Sequence, residues 1–526
     1  MNRKIIIGSR GSDLALWQAN HVLKQVQQLG LSAEIKIITT QGDAIQHLSF
    51  DKLEGKGFFT KEIEEALLNK EIDLAVHSHK DLPTTSPAGL KIAAVSAREN
   101  PADMLLIRKE CTDVSLRLSV KKNAVVGTSS ARRKSQLLAF RNDIVIEDLR
   151  GNVPTRIQKL SDKKYDAIML AAAGVERLKI DLSEFKVIHL APKEFVPAPA
   201  QGVLGLQIRE EDAELFSYIN KLNNDTVEDI IGIERKVLNL FDGGCQLPLG
   251  VYCIKEGHVF KVWASKADAW NAMPKRIYHE STTTEGVAAK IVNALKNIKP
   301  ASVLITRDLE DNSFFKNVLE GNGYMVHGIS FIETRKVAFT DVPQTDWIFF
   351  TSSNAVRFFF EQKPQLNSKT QFAVVGSGTE QTLKQYHKNP TFAGINNDTK
   401  VIGKKFARVV GAGTVLFPQA KGGLRTIQQQ FLIQDTIVDL PVYETVKKEN
   451  VTVEDTEILV FTSPSNVESY FEKKKINTQQ KVIAIGKSTE KKLKELGVTN
   501  SVLPESFDEV GLAEAVFKIT SNSVKY

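Results

Sequence analysis

Cysteine and histidine are scarce in this chain of 526 residues. The three cysteines, Cys111, Cys245 and Cys253, have spacings that match neither a disulfide framework nor a zinc site. The nine histidines form no pattern of metal ligands. We therefore expect no disulfide framework and no metal centre.

Long apolar runs are missing as well. Only three isoleucines precede Gly8, which is too short for the core of a signal peptide, and no run approaches the length of a membrane span. No stretch combines clustered basic residues with a nucleic-acid-binding signature. We expect a cytoplasmic protein with no membrane or nucleic-acid partner.

The composition is that of a globular protein, with 42% hydrophobic and 25% charged residues. A chain of this length is too long for one core and predicts three to five domains. The net charge of +7 fits either a solvated surface or an acidic small-molecule substrate.

Short β-rich runs alternate with amphipathic helical patterns, which predicts α/β layers with mostly parallel sheets. Helices are predicted at 14–29 and 61–68. Strands are predicted at 4–7, 34–39, 73–76, 124–126, 144–147 and 167–170.

The order of elements changes between residues 213 and 295, which predicts a small α+β domain. A linker containing Pro300 is predicted at 296–302. Within the domain we predict helices at 225–240 and 285–295 and strands at 249–253 and 259–264.

An internal repeat follows the linker. Phe350-Thr-Ser-Ser-Asn-Ala-Val is answered by Phe461-Thr-Ser-Pro-Ser-Asn-Val, and Val374-Val-Gly-Ser-Gly-Thr-Glu by Ala484-Ile-Gly-Lys-Ser-Thr-Glu. Two copies predict a duplicated α/β domain, with a ligand cleft between two similar lobes.

The segment Ala75-Val-His-Ser-His-Lys-Asp-Leu-Pro83 places Lys80 and Asp81 where a buried strand meets a loop. Open α/β sheets bind ligands at such positions. The alternative is a surface ion pair of little consequence.

Arginines recur at predicted strand-to-helix junctions. Gly127-Thr-Ser-Ser-Ala-Arg-Arg-Lys134 offers backbone N–H groups, hydroxyls and two guanidinium groups, although a capped helix with exposed arginines would look the same. Multiple carboxylates fit such a cleft better than phosphate, because the chain lacks a P-loop. The six arginines are Arg10, Arg132, Arg133, Arg150, Arg156 and Arg177.

Cys245 follows two glycines in Phe241-Asp-Gly-Gly-Cys-Gln-Leu-Pro-Leu-Gly250. A tight loop that lets other groups come close suits a thiolate that carries a covalent group. A lone cysteine is otherwise a small buried apolar residue, and we interpret Cys111 and Cys253 in that way.

These segments together resemble hydroxymethylbilane synthase, also called porphobilinogen deaminase, collinearly from about residue 4 to 298. Supporting matches are Gly8-Ser-Arg-Gly-Ser-Asp-Leu-Ala-Leu-Trp-Gln18, Gly55-Lys-Gly-Phe-Phe-Thr-Lys61 and Ala200-Gln-Gly-Val-Leu-Gly205. The resemblance implies two periplasmic-binding-protein-like α/β lobes plus a small α+β domain. The implied limits are 1–97 with 198–214 for domain 1, 98–197 for domain 2 and 215–298 for domain 3.

The resemblance also implies a dipyrromethane cofactor, bound by a thioether to Cys245, and Asp81 as the catalytic residue. Lys56 and Phe59 are expected in a mobile loop over the site. Ala102 departs from the larger residue that the family often has. The groups implied to bind cofactor and substrate carboxylates are Arg10, Ser12, Lys80, Thr128, Ser129, Ser130, Arg132, Arg133, Arg150, Arg156 and Arg177.

Residues 302–520 resemble uroporphyrinogen-III synthase. The resemblance implies one lobe from 302–335 with 445–520 and a second lobe from 338–440. It places four polar residues in the cleft, although each hydroxyl could equally be a helix cap. They are Tyr443, Ser463, Ser488 and Thr489.

The implied function is the condensation of four porphobilinogen units with loss of ammonia, followed by cyclisation to uroporphyrinogen III. Porphobilinogen and hydroxymethylbilane are the expected small-molecule partners, and a monomer is favoured. Two alternatives stay open: a synthase with an inactive C-terminal half, and a non-catalytic two-lobed anion-binding module.

Overall fold

The computed structural model describes residues 3–40, 60–244, 246–394 and 398–521. Lys56, Phe59 and Cys245 lie outside these ranges. Strands and helices alternate through five sheets in the described chain, which confirms the prediction of an α/β protein with several domains.

Each helix and strand predicted in the N-terminal half is present, with its ends within three residues of the predicted limits. The helices are α1 (Asp13–Gln28), α2 (Lys61–Leu68), α3 (Ala131–Phe140), α4 (Val153–Ser161), α5 (Ala172–Leu178), α6 (Ala213–Ile219), α7 (Asp225–Leu240) and α8 (Val287–Lys296). The strands are β1 (Ile5–Ser9), β2 (Ala33–Ile37), β3 (Leu74–Ser78), β4 (Leu90–Val95), β5 (Asp103–Arg108), β6 (Val125–Gly127), β7 (Val145–Glu147), β8 (Ala167–Ala171), β9 (Phe185–Leu190), β10 (Leu204–Arg209), β11 (Leu249–Glu256), β12 (Val259–Lys266) and β13 (Lys275–Ser281).

Two five-stranded sheets form two similar lobes. Lobe 1 has the strand order β2-β1-β3-β10-β4, and lobe 2 has the order β7-β6-β8-β5-β9. The fourth strand in each order, β10 in lobe 1 and β5 in lobe 2, is antiparallel to both of its neighbours. Each of these two strands comes directly after the chain crosses from one lobe to the other. The chain therefore crosses twice between lobes of matching design.

Helix α1 shows why these segments fold as they do. Its buried residues Ala19, Val22 and Val26 recur at helical spacing and pack on the sheet of lobe 1. The helix begins after Ser12, whose Oγ accepts a hydrogen bond from the backbone N–H of Ala15 at 3.4 Å.

Domain 3 packs helices α7 and α8 on the antiparallel sheet β11-β12-β13. Buried apolar residues along α7, among them Val227, Ile230 and Val237, face this sheet. The expectation of a small α+β domain is confirmed, and β13 is a strand that the sequence patterns did not indicate.

The C-terminal half begins at β14. Its helices are α9 (Phe314–Glu320), α10 (Ser353–Phe360), α11 (Gly376–Gln385), α12 (Thr399–Val410), α13 (Pro464–Phe471), α14 (Lys487–Glu495) and α15 (Glu509–Thr520). Its strands are β14 (Ser302–Ile305), β15 (Met325–Gly328), β16 (Ile332–Lys336), β17 (Trp347–Phe350), β18 (Gln371–Val375), β19 (Phe392–Gly394), β20 (Val415–Ala420), β21 (Ile437–Lys447), β22 (Ile458–Phe461) and β23 (Lys481–Ala484).

These strands form a four-stranded sheet, β15-β14-β22-β23, and a six-stranded sheet, β16-β21-β20-β17-β18-β19. The sequence repeat maps onto equivalent units, since β17 leads into α10 and β22 leads into α13. The prediction of a duplicated α/β domain is confirmed. Strand β16 pairs with β21 and so belongs to the six-stranded sheet.

The prediction of mostly parallel sheets is wrong for the N-terminal half. Each of its lobes contains an antiparallel strand that pairs on both sides, and the sheet of domain 3 is antiparallel throughout. The C-terminal sheets are parallel except for the pairing of β16 with β21.

The segment predicted as a linker is tied to the end of the described chain. Lys296 still belongs to α8, Ile298 pairs with Ser521 in an isolated bridge, and the Lys299 N–H donates to the Thr520 carbonyl at 3.1 Å. Among the described helices, none is both long and apolar enough to cross a membrane.

Candidate active site

A small cavity of about 90 Å³ lies in lobe 1, at the ends of β1 and β3. Ser12 begins α1 on one side of this cavity, and Asp81 lies on the other. The polar residues that line it are Arg10, Ser12, Gln18, Thr60, His77, Ser78 and Asp81. The structure thus brings residues of two separate motifs to one cavity, Arg10 and Ser12 from the first and Asp81 from the second.

Lys80 and Asp81 lie in a single 3-10 turn, His79–Asp81, directly after β3. Helix α7 of domain 3 stabilises this turn through Arg235. This residue donates from Nη1 to the His79 carbonyl at 3.1 Å and from Nη2 to the Pro83 carbonyl. The predicted site at a strand end is therefore fixed by domain 3 as well as by its own lobe.

The Lys80 ammonium faces the crossing between the lobes. Its Nζ donates to Gln201 Oε1 at 3.3 Å. Burial lowers the pKa of Lys80 below its ordinary value; the charge of Asp81 opposes this shift, and that of Arg133 adds to it. Lys80 is therefore one cation in a group that extends from lobe 1 into lobe 2.

Arg132 and Arg133 bind a carboxylate of the protein itself. Arg132 Nη1 donates to Asp103 Oδ2 at 2.6 Å, and Arg133 donates from Nε and Nη2 to Asp103 Oδ1 at 3.1 and 2.7 Å. The alternative of two exposed arginines is wrong, since they are only 5% and 6% exposed. Burial alone would raise the pKa of Asp103, but the two guanidinium charges hold it below its ordinary value.

Arg156 shows that positive charge is crowded in this part of the cleft. Its Nε donates to the Gly151 carbonyl at 2.7 Å. Burial, together with the charges of Arg133 and Arg150, lowers the pKa of Arg156 to about 10, while Asp81 acts in the opposite direction. Three arginines of lobe 2 and the carboxylate of lobe 1 therefore interact electrostatically.

Arg177 is bound at the crossing between the lobes. It donates from Nε to Glu99 Oε2 and from Nη2 to the Gly202 carbonyl, both at 3.1 Å, and it is 6% exposed. Its guanidinium carbon lies 5.6 Å from the ring centroid of Trp17. Arg177 therefore stabilises the two segments that cross between the lobes, since Glu99 lies on one and Gly202 on the other. Its position in the sequence did not indicate this role.

The hydroxyls of the Gly-Thr-Ser-Ser turn also have internal partners. Thr128 Oγ1 accepts from the Ser130 N–H at 3.3 Å, and Ser130 Oγ accepts from the Arg133 N–H at the start of α3. Ser129 Oγ bonds both the N–H and the carbonyl of Leu149 at 3.0 Å. Through Ser129 the turn links β6 to the segment that follows β7. Ser130 caps α3, which is the alternative role considered for this motif in the sequence.

The sequence interpretation missed Glu234. This carboxylate of α7 is fully buried and accepts from Arg98 Nη1 at 2.6 Å and from the N–H groups of Ala200 and Cys253 at 2.7 Å. It thereby joins both crossing segments to domain 3. Its position among the apolar residues of α7 was the available signal, because a charge on a buried helix face requires a partner.

The C-terminal half gathers polar groups where parallel strands end. Ser463 Oγ caps α13 by accepting from the Asn466 N–H at 3.2 Å, and Thr462 Oγ1 donates to the Thr306 carbonyl at 2.8 Å. In the other lobe, Ser352 follows β17 and caps α10, and its hydroxyl lies 3.4 Å from that of Tyr443 on β21. Hydroxyl groups thus follow corresponding strands, β17 and β22, in the two lobes of the C-terminal half.

Two predicted cleft residues differ in their exposure. Ser488, in the first turn of α14, is exposed, whereas Thr489 beside it is buried. Of this pair, Ser488 is the one that can reach a ligand directly. Within the described ranges, no group of three or more His, Cys, Asp or Glu side chains could hold a metal ion.

Comparison with known proteins gives two family matches. Residues 5–217 match the family model described as porphobilinogen deaminase, dipyromethane cofactor binding domain. Residues 313–514 match the model described as uroporphyrinogen-III synthase HemD.

Curated relatives match the N-terminal half of the chain. The chain is 45% identical over 251 residues to porphobilinogen deaminase from Sulfurimonas denitrificans, covering 47% of this chain and 79% of the relative. It is 44% identical over 263 residues to the Bacillus subtilis protein of the same name, covering 49% and 81%. Uroporphyrinogen-III synthetase from Helicobacter pylori is a similar solved structure, with 19% identity, a TM-score of 0.32, and coverage of 41% of this chain and 98% of that chain.

Proposed function

We propose a mechanism from the premise that the chain belongs to the porphobilinogen deaminase family and continues into a uroporphyrinogen-III synthase region. The chain is a bifunctional enzyme. Its N-terminal half joins four porphobilinogen units into hydroxymethylbilane with loss of ammonia, and its C-terminal half closes that product to uroporphyrinogen III.

The observation that carries the proposal is the crowding of cations around Asp81. Burial lowers the pKa of Arg156, and the neighbouring positive charges of Arg133 and Arg150 lower it further. Carboxylates bound between them offset these charges. A dipyrromethane and each porphobilinogen carry acetate and propionate groups, so the donor set fits cofactor and substrate.

We propose that the dipyrromethane is attached through a thioether to Cys245. The support is the position of α7, which leads into the loop of this cysteine and also holds the Asp81 turn through Arg235. When bound, the dipyrromethane supplies the pyrrole carbon to which the next unit is joined.

Asp81 is the proposed catalytic residue. Its carboxyl group lines the cavity and can protonate the departing amine, and its carboxylate can then stabilise positive charge on the pyrrole nitrogen. Each condensation forms one carbon–carbon bond and releases one ammonia.

Carboxylate binding is the role proposed for the surrounding basic and hydroxyl groups. Arg132 and Arg133 act from their fixed position on Asp103, so they contribute a rigid positive field. Lys56 and Phe59 are proposed to cover the site. The remaining groups proposed to bind carboxylates are Arg10, Ser12, Lys80, Thr128, Ser129, Ser130, Arg150, Arg156 and Arg177.

In the C-terminal half we propose that the enzyme constrains a reactive substrate rather than attacking it. Hydroxymethylbilane closes on itself once its ends are brought together, so positioning supplies most of the catalysis. Backbone N–H groups at the starts of α10 and α13, with the hydroxyls of Tyr443 and Ser463, would hold its carboxylates. Ser488 is proposed to contact substrate, and Thr489 to support it from a buried position.

Several expectations from the sequence remain proposals. They are the stated domain limits, a monomeric state, a cytoplasmic location, and the lack of membrane or nucleic-acid partners.

Product analysis tests both activities in one experiment. The full-length protein is supplied with porphobilinogen alone, and the uroporphyrinogen isomers are separated after oxidation. We expect mainly the type III isomer. Exclusive formation of the symmetric type I isomer would show that the C-terminal half is inactive, and no tetrapyrrole at all would refute the deaminase function.

A further inference from the structure

A buried ion pair joins the two halves of the chain. Arg276, on β13 of domain 3, donates from Nε to Glu514 Oε1 on α15 at 2.9 Å, and its Nη2 lies 2.7 Å from the same oxygen. Arg276 is fully buried and Glu514 is 4% exposed. Removal of Glu514 would deprive the buried Arg276 of the carboxylate that is bonded to it directly.

Arg276 also holds a segment of lobe 2. Its Nη1 donates to the Glu194 carbonyl at 2.8 Å, and its Nη2 donates to the Lys193 carbonyl at 2.7 Å. A few residues on, the Val196 carbonyl accepts from Arg132 Nη1 at 2.9 Å. The 193–196 segment therefore lies between Glu514 of the C-terminal half and an arginine of the deaminase cleft.

Aromatic packing supports the same contact. Phe314 on α9 lies 4.6 Å, between ring centroids, from Phe140 at the end of α3, the helix that carries Arg132. The guanidinium carbon of Arg117 lies 4.4 Å from the Phe140 ring and 5.5 Å from the Phe314 ring. Both phenylalanines are at most 2% exposed, so the apolar core is continuous across the two halves.

We propose that the C-terminal half is a structural part of the deaminase site and that Glu514 is a positioning residue for the deaminase reaction. Glu514 fixes Arg276, Arg276 fixes the 193–196 segment, and that segment fixes the guanidinium of Arg132 beside Asp103. The inference rests on the proposed function, because it concerns the arginines that bind carboxylates there.

Glu514→Ala in the full-length protein tests the inference. Because Arg276 loses its partner, we expect amide hydrogen exchange in residues 193–196 to become about tenfold faster or more. The displaced Arg132 should raise KM for porphobilinogen by about fivefold. A purely structural loss would reduce the active fraction, and hence the apparent kcat, without changing KM. Glu514→Gln, which retains a hydrogen-bond acceptor, should give an intermediate KM.

Phe406→Ala is the matched control. Phe406 is fully buried in the six-stranded lobe, where its ring packs 4.5 Å from that of Phe349 in an apolar cluster formed by residues of the C-terminal half. This substitution should destabilise the C-terminal half but leave KM for porphobilinogen unchanged. An equal rise in KM for Phe406→Ala, or an unchanged KM and exchange rate for Glu514→Ala, would overturn the inference.

If Glu514→Ala does not fold, Phe314→Leu serves in its place. It removes the ring contact with Phe140 but keeps an apolar side chain, and we expect faster exchange at 193–196 and a raised KM. Unchanged values would count against the inference. Failure of the proposed function is distinguishable, since the unsubstituted protein would then form no hydroxymethylbilane.

Discussion

Asp81 and Asp103 are two carboxylates whose charges both act on Lys80, and their surroundings differ. Asp103 is fully buried and bonded by Arg132 and Arg133, so its carboxylate is already neutralised and fixed. Asp81 is half-buried and lines the cavity beside Arg10. Of the two, Asp81 is the carboxylate that we propose exchanges a proton with a bound substrate.

Asp81→Asn should therefore lower deaminase turnover by about a hundredfold or more, because the amide cannot act as an acid. The thermal unfolding midpoint should change little, since Asp81 is not part of the core. Rates of hydroxymethylbilane formation and thermal unfolding measure the two effects. Asp162→Asn, at an exposed helix end, is the control. Turnover within a few-fold of the parent would refute the role of Asp81.

His77 predicts a pH dependence of stability. It is 5% exposed, its Nε2 lies 3.0 Å from Gln207 Oε1, and burial lowers the pKa of His77 to about 4. Between pH 6.5 and 4 the unfolded chain binds a proton here that the folded chain does not. The free energy of unfolding should therefore fall as the pH is lowered, by roughly 2–3 kcal/mol at pH 4.5 from this group.

His77→Gln should remove that dependence while retaining a hydrogen-bonding group. Urea unfolding of parent and variant at pH 7 and pH 4.5 measures it. We expect the parent to lose more stability than the variant on acidification. Equal losses in the two proteins would show that His77 is protonated in the folded state.

At the scale of elements, α7 connects the three domains of the deaminase half. Glu234 binds the two crossing segments and β11, and Arg235, the next residue, binds the turn of Asp81. The same helix leads into the loop of Cys245. One helix therefore contacts the turn of Asp81 and the crossing between the lobes, and it precedes the proposed cofactor attachment point.

Glu234→Ala should destabilise the protein by about 3–5 kcal/mol, because Arg98 would remain buried without its charge partner. Glu234→Gln should cost less, since it keeps acceptors for part of the network. Glu228→Ala, on the exposed face of α7, should stay within about 0.5 kcal/mol of the parent. Chemical denaturation measures all three. A loss for Glu234→Ala no larger than for Glu228→Ala would contradict this account.

Local periodicity was enough to predict the helices that carry a regular apolar face. Helices α1, α2 and α7 have the predicted limits to within one residue. Strands β5 and β10 were not predicted, because each joins a sheet through antiparallel pairing with distant segments. The patterns placed Asp81 and the arginines at strand ends, but they could not show that Asp103 binds two of those arginines from another strand.

At the scale of the whole molecule, the repeat and the motifs predicted two functional regions but not how they meet. The predicted linker suggested separate halves, whereas Arg276 and Glu514, 238 residues apart, form a buried pair. A single charged residue on each side carries no local pattern that would reveal such a contact. The deaminase and synthase regions therefore share one core in a way that sequence periodicity does not encode.

The central claim is that Cys245 carries a dipyrromethane surrounded by cationic groups, and intact-protein mass spectrometry tests it most directly. We predict that the purified protein has the mass of the chain plus two porphobilinogen units less two ammonia. Cys245→Ser should lack this increment, while Cys111→Ser and Cys253→Ser, at buried free cysteines, should retain it. An unmodified mass for the parent protein, or an increment that survives in Cys245→Ser, would contradict the claim.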